Sequence, residues 1–174
     1  MRARLPLLLL IAFLTSCAAV PSVRESGPSR SIEDVPFYPQ EMYQCGPASL
    51  AGVLNSWGVS VSPEEIADEV YSRSAKGTLN VDLVFYAERL GLKASHYRGS
   101  IEDLRKKIDS GFPLVVMVDY GFWVYEQNHF MTVLGYDGTG VVVHSGKERG
   151  KHVPLGSFLK SWKRTGYWTL LVTK

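Results

Sequence analysis

The sequence predicts an α+β domain in which N-terminal helices pack on a small antiparallel sheet, and three observations point there. Four segments between Pro47 and Gly111 carry apolar residues at helical spacing and are bounded by helix caps. At Phe112 the pattern changes to short β-branched runs. An Asp-Gly-Thr-Gly turn at 137–140 then joins two such runs, the signature of a hairpin. Helices first and antiparallel strands after them is the order expected of segregated layers.

The chain opens on "MRARLPLLLLIAFLTSC", in which two arginines precede an apolar run from Leu5 to Leu14 that closes on Thr15-Ser16-Cys17. This is the grammar of a secretory signal over residues 1–16, and the run is well short of the roughly 20 residues that cross a bilayer. "LTSC" resembles the lipobox of bacterial lipoproteins, which implies that Cys17 becomes the mature N-terminus and carries acyl chains such as palmitate. Several chains anchor far more firmly than one. Ala18 in the next position implies, by the same resemblance, sorting to the outer membrane, with the domain facing the periplasm. Residues 17–34 then read as a Pro/Ser/Gly-containing tether, and residues 35–174 as one domain.

"VPFYPQEMYQ" is expected to be extended. From Pro47 to Trp57 the residues Ala48, Leu50, Ala51, Val53, Leu54 and Trp57 predict a helix with a wide apolar face, ended by Gly58. Ser62, Pro63 and Glu65 form a capping box with proline at the first helical position. A third helix in "TLNVDLVFYAERLG" is expected to be capped by Asn80 and stopped by Gly91. In the fourth, Ser100 caps, Asp103 follows three later, and Gly111 closes. "FPLVVMVDY" is nearly continuous and suits a strand buried on both faces. "HFMTVLGYDGTGVVVHSG" is the hairpin, "LGSFLKSW" a short helix and "GYWTLLVTK" the last strand.

Charge excludes one class of partner. Loss of Arg2 and Arg4 with the signal takes the formal charge from +2 to zero, and no clustered Lys/Arg stripe marks a nucleic-acid surface. Four histidines with one usable cysteine do not make a zinc set, so neither metal nor cofactor is expected.

Cysteine usage carries more information. Exported proteins usually pair their cysteines, yet with Cys17 acylated, Cys45 has no partner within the chain. An unpaired exported thiol is either buried and inert or reactive and in use. Cys45 lies at a predicted helix N-terminus, where unpaired amides and the helix dipole favour negative charge. A depressed thiol pKa is therefore expected. Gly46 removes bulk beside it and is expected to let a substrate backbone approach. The nucleophile needs a base; His129 leads the hairpin, with His96, His144 and His152 as competitors.

"PFYPQEMYQCGPASLAGVLNSWG" followed by "NHFMTVLGYDGTGVVV" resembles the papain-like peptidases that process double-glycine bacteriocin leaders, and their stand-alone relatives. The likeness runs from about Val35 to Val172 and implies a papain-like fold. It also implies thiol-protease activity, with Cys45 as nucleophile and His129 as general base acting on a peptide or protein substrate. An upstream glutamine in that family supplies an oxyanion donor together with the cysteine amide; Gln40 is the match, one residue nearer the cysteine than is usual, and Gln44 is the weaker candidate. The family's histidine-orienting Asp or Asn is replaced here by "VVVHSG". Ser145 or His144 can face His129 depending on strand register, and Asp119 lies outside the family pattern. That departure leaves open a working dyad, a slow enzyme, or an inactive module that binds a peptide or partner protein. A cell-wall peptide amidase would use the same constellation. The aromatic stretch "DYGFWVYEQN" before His129, with Trp123 and Tyr125, is the expected substrate-contacting loop.

Overall fold

The computed structural model describes residues 29–40, 44–72 and 77–174. The signal segment, Cys17 and most of the tether lie outside them. In chain order the elements are β1 (Arg30–Ser31), α1 (Cys45–Ser56), α2 (Pro63–Val70), β2 (Tyr71–Ser72), β3 (Gly77–Thr78), α3 (Asn80–Arg89) and β4 (Lys93–Arg98). There follow α4 (Ile101–Asp109), β5 (Leu114–Asp119), β6 (Asn128–Tyr136), β7 (Gly140–Ser145), β8 (Glu148–Pro154), α5 (Leu155–Arg164) and β9 (Trp168–Thr173).

Local chemistry explains most helix ends. Ser62 Oγ accepts from the Glu65 amide while Glu65 Oε2 accepts from the Ser62 amide, so two orphan donors of α2 are satisfied reciprocally. Ser100 Oγ caps α4 through the Asp103 amide at 3.1 Å. Asn80 does not cap α3: Leu79 occupies the cap position in extended conformation, Asn80 is the first helical residue, and no side chain caps that end. Gly58, Gly91 and Gly111 follow α1, α3 and α4 with φ near +80° (79, 80 and 82°), as helix-terminating glycines do.

The main sheet is antiparallel in the order β4-β9-β5-β6-β7-β8, with β1 pairing the far end of β6. Helices cover both faces. α1, α2 and α3 pack with Val115, Phe130, Leu170 and Val172 on one side. On the other, α4 and α5 pack with Leu114, Val116, Val118, Met131 and Val143. Successive residues of β5 thus enter opposite cores, which is why its apolar run does not alternate.

The layers are less segregated than the sequence suggests. β4 lies between two helices and forms a sheet edge against β9, and β8 is a second, polar edge. Their exposed faces carry charged and polar residues, which suits edge strands and hides them from an apolar-pattern reading. The hairpin turn is as expected: Asp137 Oδ1 accepts from the Thr139 and Gly140 amides and the Thr139 hydroxyl. Those donors hold its carboxyl well below the usual carboxylate range.

Candidate active site

α1 runs through the middle of the molecule. Every residue from Gly46 to Leu54 is buried, while Cys45 at its start and Asn55 and Ser56 at its end keep partial exposure. Gln44 takes the cap position without a side-chain cap, and Pro47 is the third helical residue, still within the turn whose amides have no intrahelical acceptor.

The backbone amides of Phe130, Gly46 and Cys45 itself lie near enough to the Cys45 thiol to act on its charge. Phe130 lies on β6, next to His129. Phe130 is held there by edge-to-face packing on Trp168, with centroids 5.6 Å apart. These donors favour thiolate, but burial outweighs them and the thiol pKa is raised. The depressed value expected from helix position is therefore wrong for this site, because desolvation of the charged form exceeds the pull of the helix end.

Gly46 faces protein rather than an open cleft. A Cβ there would lie 3.2 Å from Thr78 Cβ and 3.3 Å from Phe130 Cδ2. The missing side chain lets α1 close on β3 and β6, and the substrate contact expected of Gly46 finds no open space on this side.

His129 is the second residue of β6, opposite Val118. Its Nε2 lies 2.9 Å from Ser145 Oγ, and its ring packs against Tyr120 with centroids 5.7 Å apart and planes 31° apart. Burial first, and then the positive charge of Lys151, hold the imidazole down to about 4. At neutral pH the site thus rests as thiol and neutral imidazole, and no carboxylate contributes to the histidine's shift.

One backbone irregularity chooses between the two candidates beside the histidine. Tyr136 and Gly135 pair with Val141 and Val142, but after Leu134 the register shifts by one, so that Val133 pairs with Val143 and Thr132 with His144. This bulge sends His144 to the α1 face, where its Nε2 reaches the Val35 carbonyl at 3.1 Å and its Nδ1 accepts from the Gly150 amide. Its ring meets Phe37 edge-on. His144 is a structural clamp, not a partner of His129. Ser145 turns to the opposite face and meets the imidazole. An unbulged ladder would have exchanged them.

Gln40 is buried rather than a solvated loop amide. Its backbone amide donates to the Gly146 carbonyl and its Oε1 accepts from the Gly146 amide, both at 2.9 Å, while Nε2 reaches Ser49 Oγ at 3.3 Å. It ties the segment before α1 both to the residue after Ser145 and to the helix of Cys45. Gly52 makes this crossing possible, since a Cβ there would lie 2.8 Å from the Pro36 carbonyl oxygen.

Asp119 does not touch the histidine. It accepts from the amides of Gly121 and Gln127 and from Arg164 Nε at 2.7 Å; those contacts lower its pKa against the opposing effect of burial. It closes the loop that leads into β6. Phe122, Trp123 and Tyr125 stand 86, 83 and 69% exposed on that loop. A cleft of about 390 Å³ separates the loop from α5, lined by Tyr120, Phe122, Trp123, Ser157, Lys160 and Arg164 among others. Trp123 lines it and Tyr125 does not. The sequence reading missed Lys151, Ser49 and the α5 wall; Lys151 lies on the unpredicted β8, and only Ser49, one helical turn after Cys45, left a signal.

Relatives share this architecture. The crystal structure of a C39-like peptidase from Bacillus anthracis superposes with a TM-score of 0.73 at 21% identity, over 84% of this chain and 98% of that one. A double glycine motif protease from an AMS/PCAT transporter, solved with its leader peptide, gives 0.66 at 26% identity over 83% and 94%. The peptidase domain of Streptococcus ComA gives 0.64 at 20% identity, over 80% of this chain and 98% of that one. By sequence, an uncharacterized protein of Methanothermobacter thermautotrophicus is 32% identical over 101 residues, 58% of this chain and 63% of that protein's length. The family model of the Peptidase_C39 like family matches residues 32–170, and with the α+β fold these structures share, the chain belongs to that family of cysteine-peptidase-like proteins.

Proposed function

We propose that this protein is a membrane-anchored cysteine peptidase that cleaves peptide bonds through a thioester on Cys45. The observation that carries the reading is the Gln40 side chain, which ties Gly146, next to the Ser145 that meets His129, to Ser49 of the helix that Cys45 opens. In the first step the thiol proton passes to the imidazole as sulfur attacks the substrate carbonyl. Because both groups rest neutral, transfer and attack are coupled. The oxyanion is received by the Cys45 amide and one N–H of Gln40. The C–N bond then breaks, His129 gives its proton to the leaving amine, and water activated by the same imidazole releases the acid and restores the thiol. The leader peptide bound by the transporter protease makes an extended peptide the natural ligand class. The cleft beside Trp123 and the exposed Tyr125 would contact it. Lipid on Cys17 would hold the domain at the periplasmic face of the outer membrane.

The test uses the full chain in detergent with a panel of peptidyl vinyl sulfones, reading covalent mass at Cys45. Labelling that falls at least about tenfold in His129→Ala is expected, given the usual contribution of a positioned base. No labelling, or equal labelling in both proteins, would overturn the hydrolase reading in favour of a peptide-binding module, for which the serine at position 145 is the motivating departure. Incorporation of labelled palmitate, lost in Cys17→Ser, and recovery in outer-membrane fractions test the anchor.

A further inference from the structure

We infer that the cleft between the 120–125 loop and α5 is a carboxylate-binding subsite for the leaving-group half of the substrate, taking an acidic side chain or a free chain end beside an apolar residue. This rests on the peptidase reading for which half of the substrate lies there, though not for the charge preference.

One side chain joins the cleft to the histidine. Tyr120 lines the cleft, and its ring packs on the His129 imidazole with centroids 5.7 Å apart. His129 hands its proton to the departing amine, so the residues that leave lie on the imidazole side, where this cleft opens. Its volume, about 390 Å³, lies at the low end of small-ligand pockets and suits about one or two side chains. The two walls differ in chemistry. Tyr120, Phe122 and Trp123 form an aromatic wall, while Lys160 and Arg164, one turn apart on α5, form a cationic one.

The positive charge is in surplus. Asp119, the acid among the lining residues, is buried, and both its oxygens are taken: Oδ1 by the Gly121 and Gln127 amides, Oδ2 by Arg164 Nε at 2.7 Å. It offsets one cation. Lys160 is exposed and pairs with no acid among the described residues. Beyond Nε, the Arg164 guanidinium reaches the Tyr125 carbonyl only at 3.5 Å, so its outer N–H groups are open to a ligand carboxylate. The aromatic wall is held in place before any ligand arrives. The Tyr125 amide donates to the Phe122 carbonyl at 3.0 Å, and a Cβ on Gly121 would strike the Tyr125 carbonyl oxygen. Trp123 sits at φ 55°, a left-handed conformation that bulky residues rarely adopt. Phe122 and Trp123 are thus large apolar side chains fixed in solvent. A bare anion would leave them idle; a carboxylate beside an apolar residue engages both walls.

The test is peptide binding by NMR to the full chain in detergent, carrying Cys45→Ala so that nothing turns over. It is read at the Trp123 indole N–H, identified by its loss in Trp123→Phe. The probes are acetyl-Ala-Ala-Phe-Glu-amide, its Phe-Gln counterpart, and acetyl-Ala-Ala-Phe as acid and as amide; the two pairs separate a side-chain carboxylate from a chain end. At least one acid should bind about three- to fivefold more tightly than its neutral counterpart, the upper worth of an exposed ion pair. The gain should vanish in Lys160→Gln and at about 1 M salt, and persist in Lys163→Gln on the same helix. No binding, equal affinity within both pairs, or a preference that survives Lys160→Gln would overturn the subsite. So would an indole shift that follows detergent rather than peptide, which would make the loop a membrane contact. With the parent protein, mass spectrometry of cleaved peptides should find the acid on the C-terminal fragment; acids confined to the N-terminal fragment would overturn its placement. Failed vinyl sulfone labelling with the charge preference intact sinks the hydrolase reading alone, and labelling without that preference sinks the subsite alone.

Discussion

Replacing Ser145 by aspartate puts a carboxylate where the hydroxyl now meets His129 Nε2 at 2.9 Å. The imidazole sits at about 4 because burial and Lys151 penalise its charged form. A unit charge about 4 Å away at an effective dielectric near 20 contributes about 4 kcal/mol, roughly 3 pKa units. Desolvation of the new carboxylate removes part of this, and observed shifts of this kind run about 1–3 units. His129 should therefore rise to between about 5 and 7, and the stabilised imidazolium should favour thiolate at Cys45. Tyr120 packs against the ring, and Lys151, paired with Glu148, acts on it through its charge. Lys151 could pair with the new aspartate instead, so the substitution is also made with Lys151→Met. The assay is an NMR titration of the His129 ring alongside iodoacetamide alkylation of Cys45 between pH 6 and 8, where the rate should rise several-fold over the parent. If the histidine stays at or below about 4 in the double variant, position 145 does not control the imidazole and the reasoning fails.

Three further outcomes follow from the same contacts. His129 is depressed in the folded state, so the unfolded chain binds its proton first, and stability should fall as pH drops from about 6.5 to about 4, by about 2–3 kcal/mol after allowance for partial exposure. Denaturant melts at pH 7 and 4.5 should show that loss shrinking by a similar amount in His129→Gln; no difference between the two proteins would contradict it. His144→Ala strips the Val35 carbonyl and Gly150 amide of their partner and should cost about 1–3 kcal/mol, read by melting, while the His129 titration stays where it was. Phe122→Ser and Trp123→Ser remove exposed apolar tips, so stability should hold within about 0.5 kcal/mol while KM for cleaved peptides rises; matched falls in Tm and turnover would count against a substrate role.

Much was legible in the chain because it is local. Helical spacing, the Ser62 and Ser100 caps, the two-faced burial of β5 and the Asp137 turn all depend on residues within a few positions of one another. The Cys45 and His129 motifs were readable through family resemblance. Residues outside that grammar were not: Asn80 looked like a cap, and the polar edges β4 and β8 carry no apolar signal. What only the tertiary structure decided was which side chain meets the histidine and which way the thiol is shifted. One extra residue at Leu134 turns Ser145 inward and His144 away; the bulge lies within the β6–β7 hairpin, but beside it Gly135 pairs with Ser31 of β1, far upstream in the chain. The thiol's environment likewise depends on how completely α1 is enclosed by the sheet, so a helix terminus that favours thiolate by position loses to the burial it is packed into.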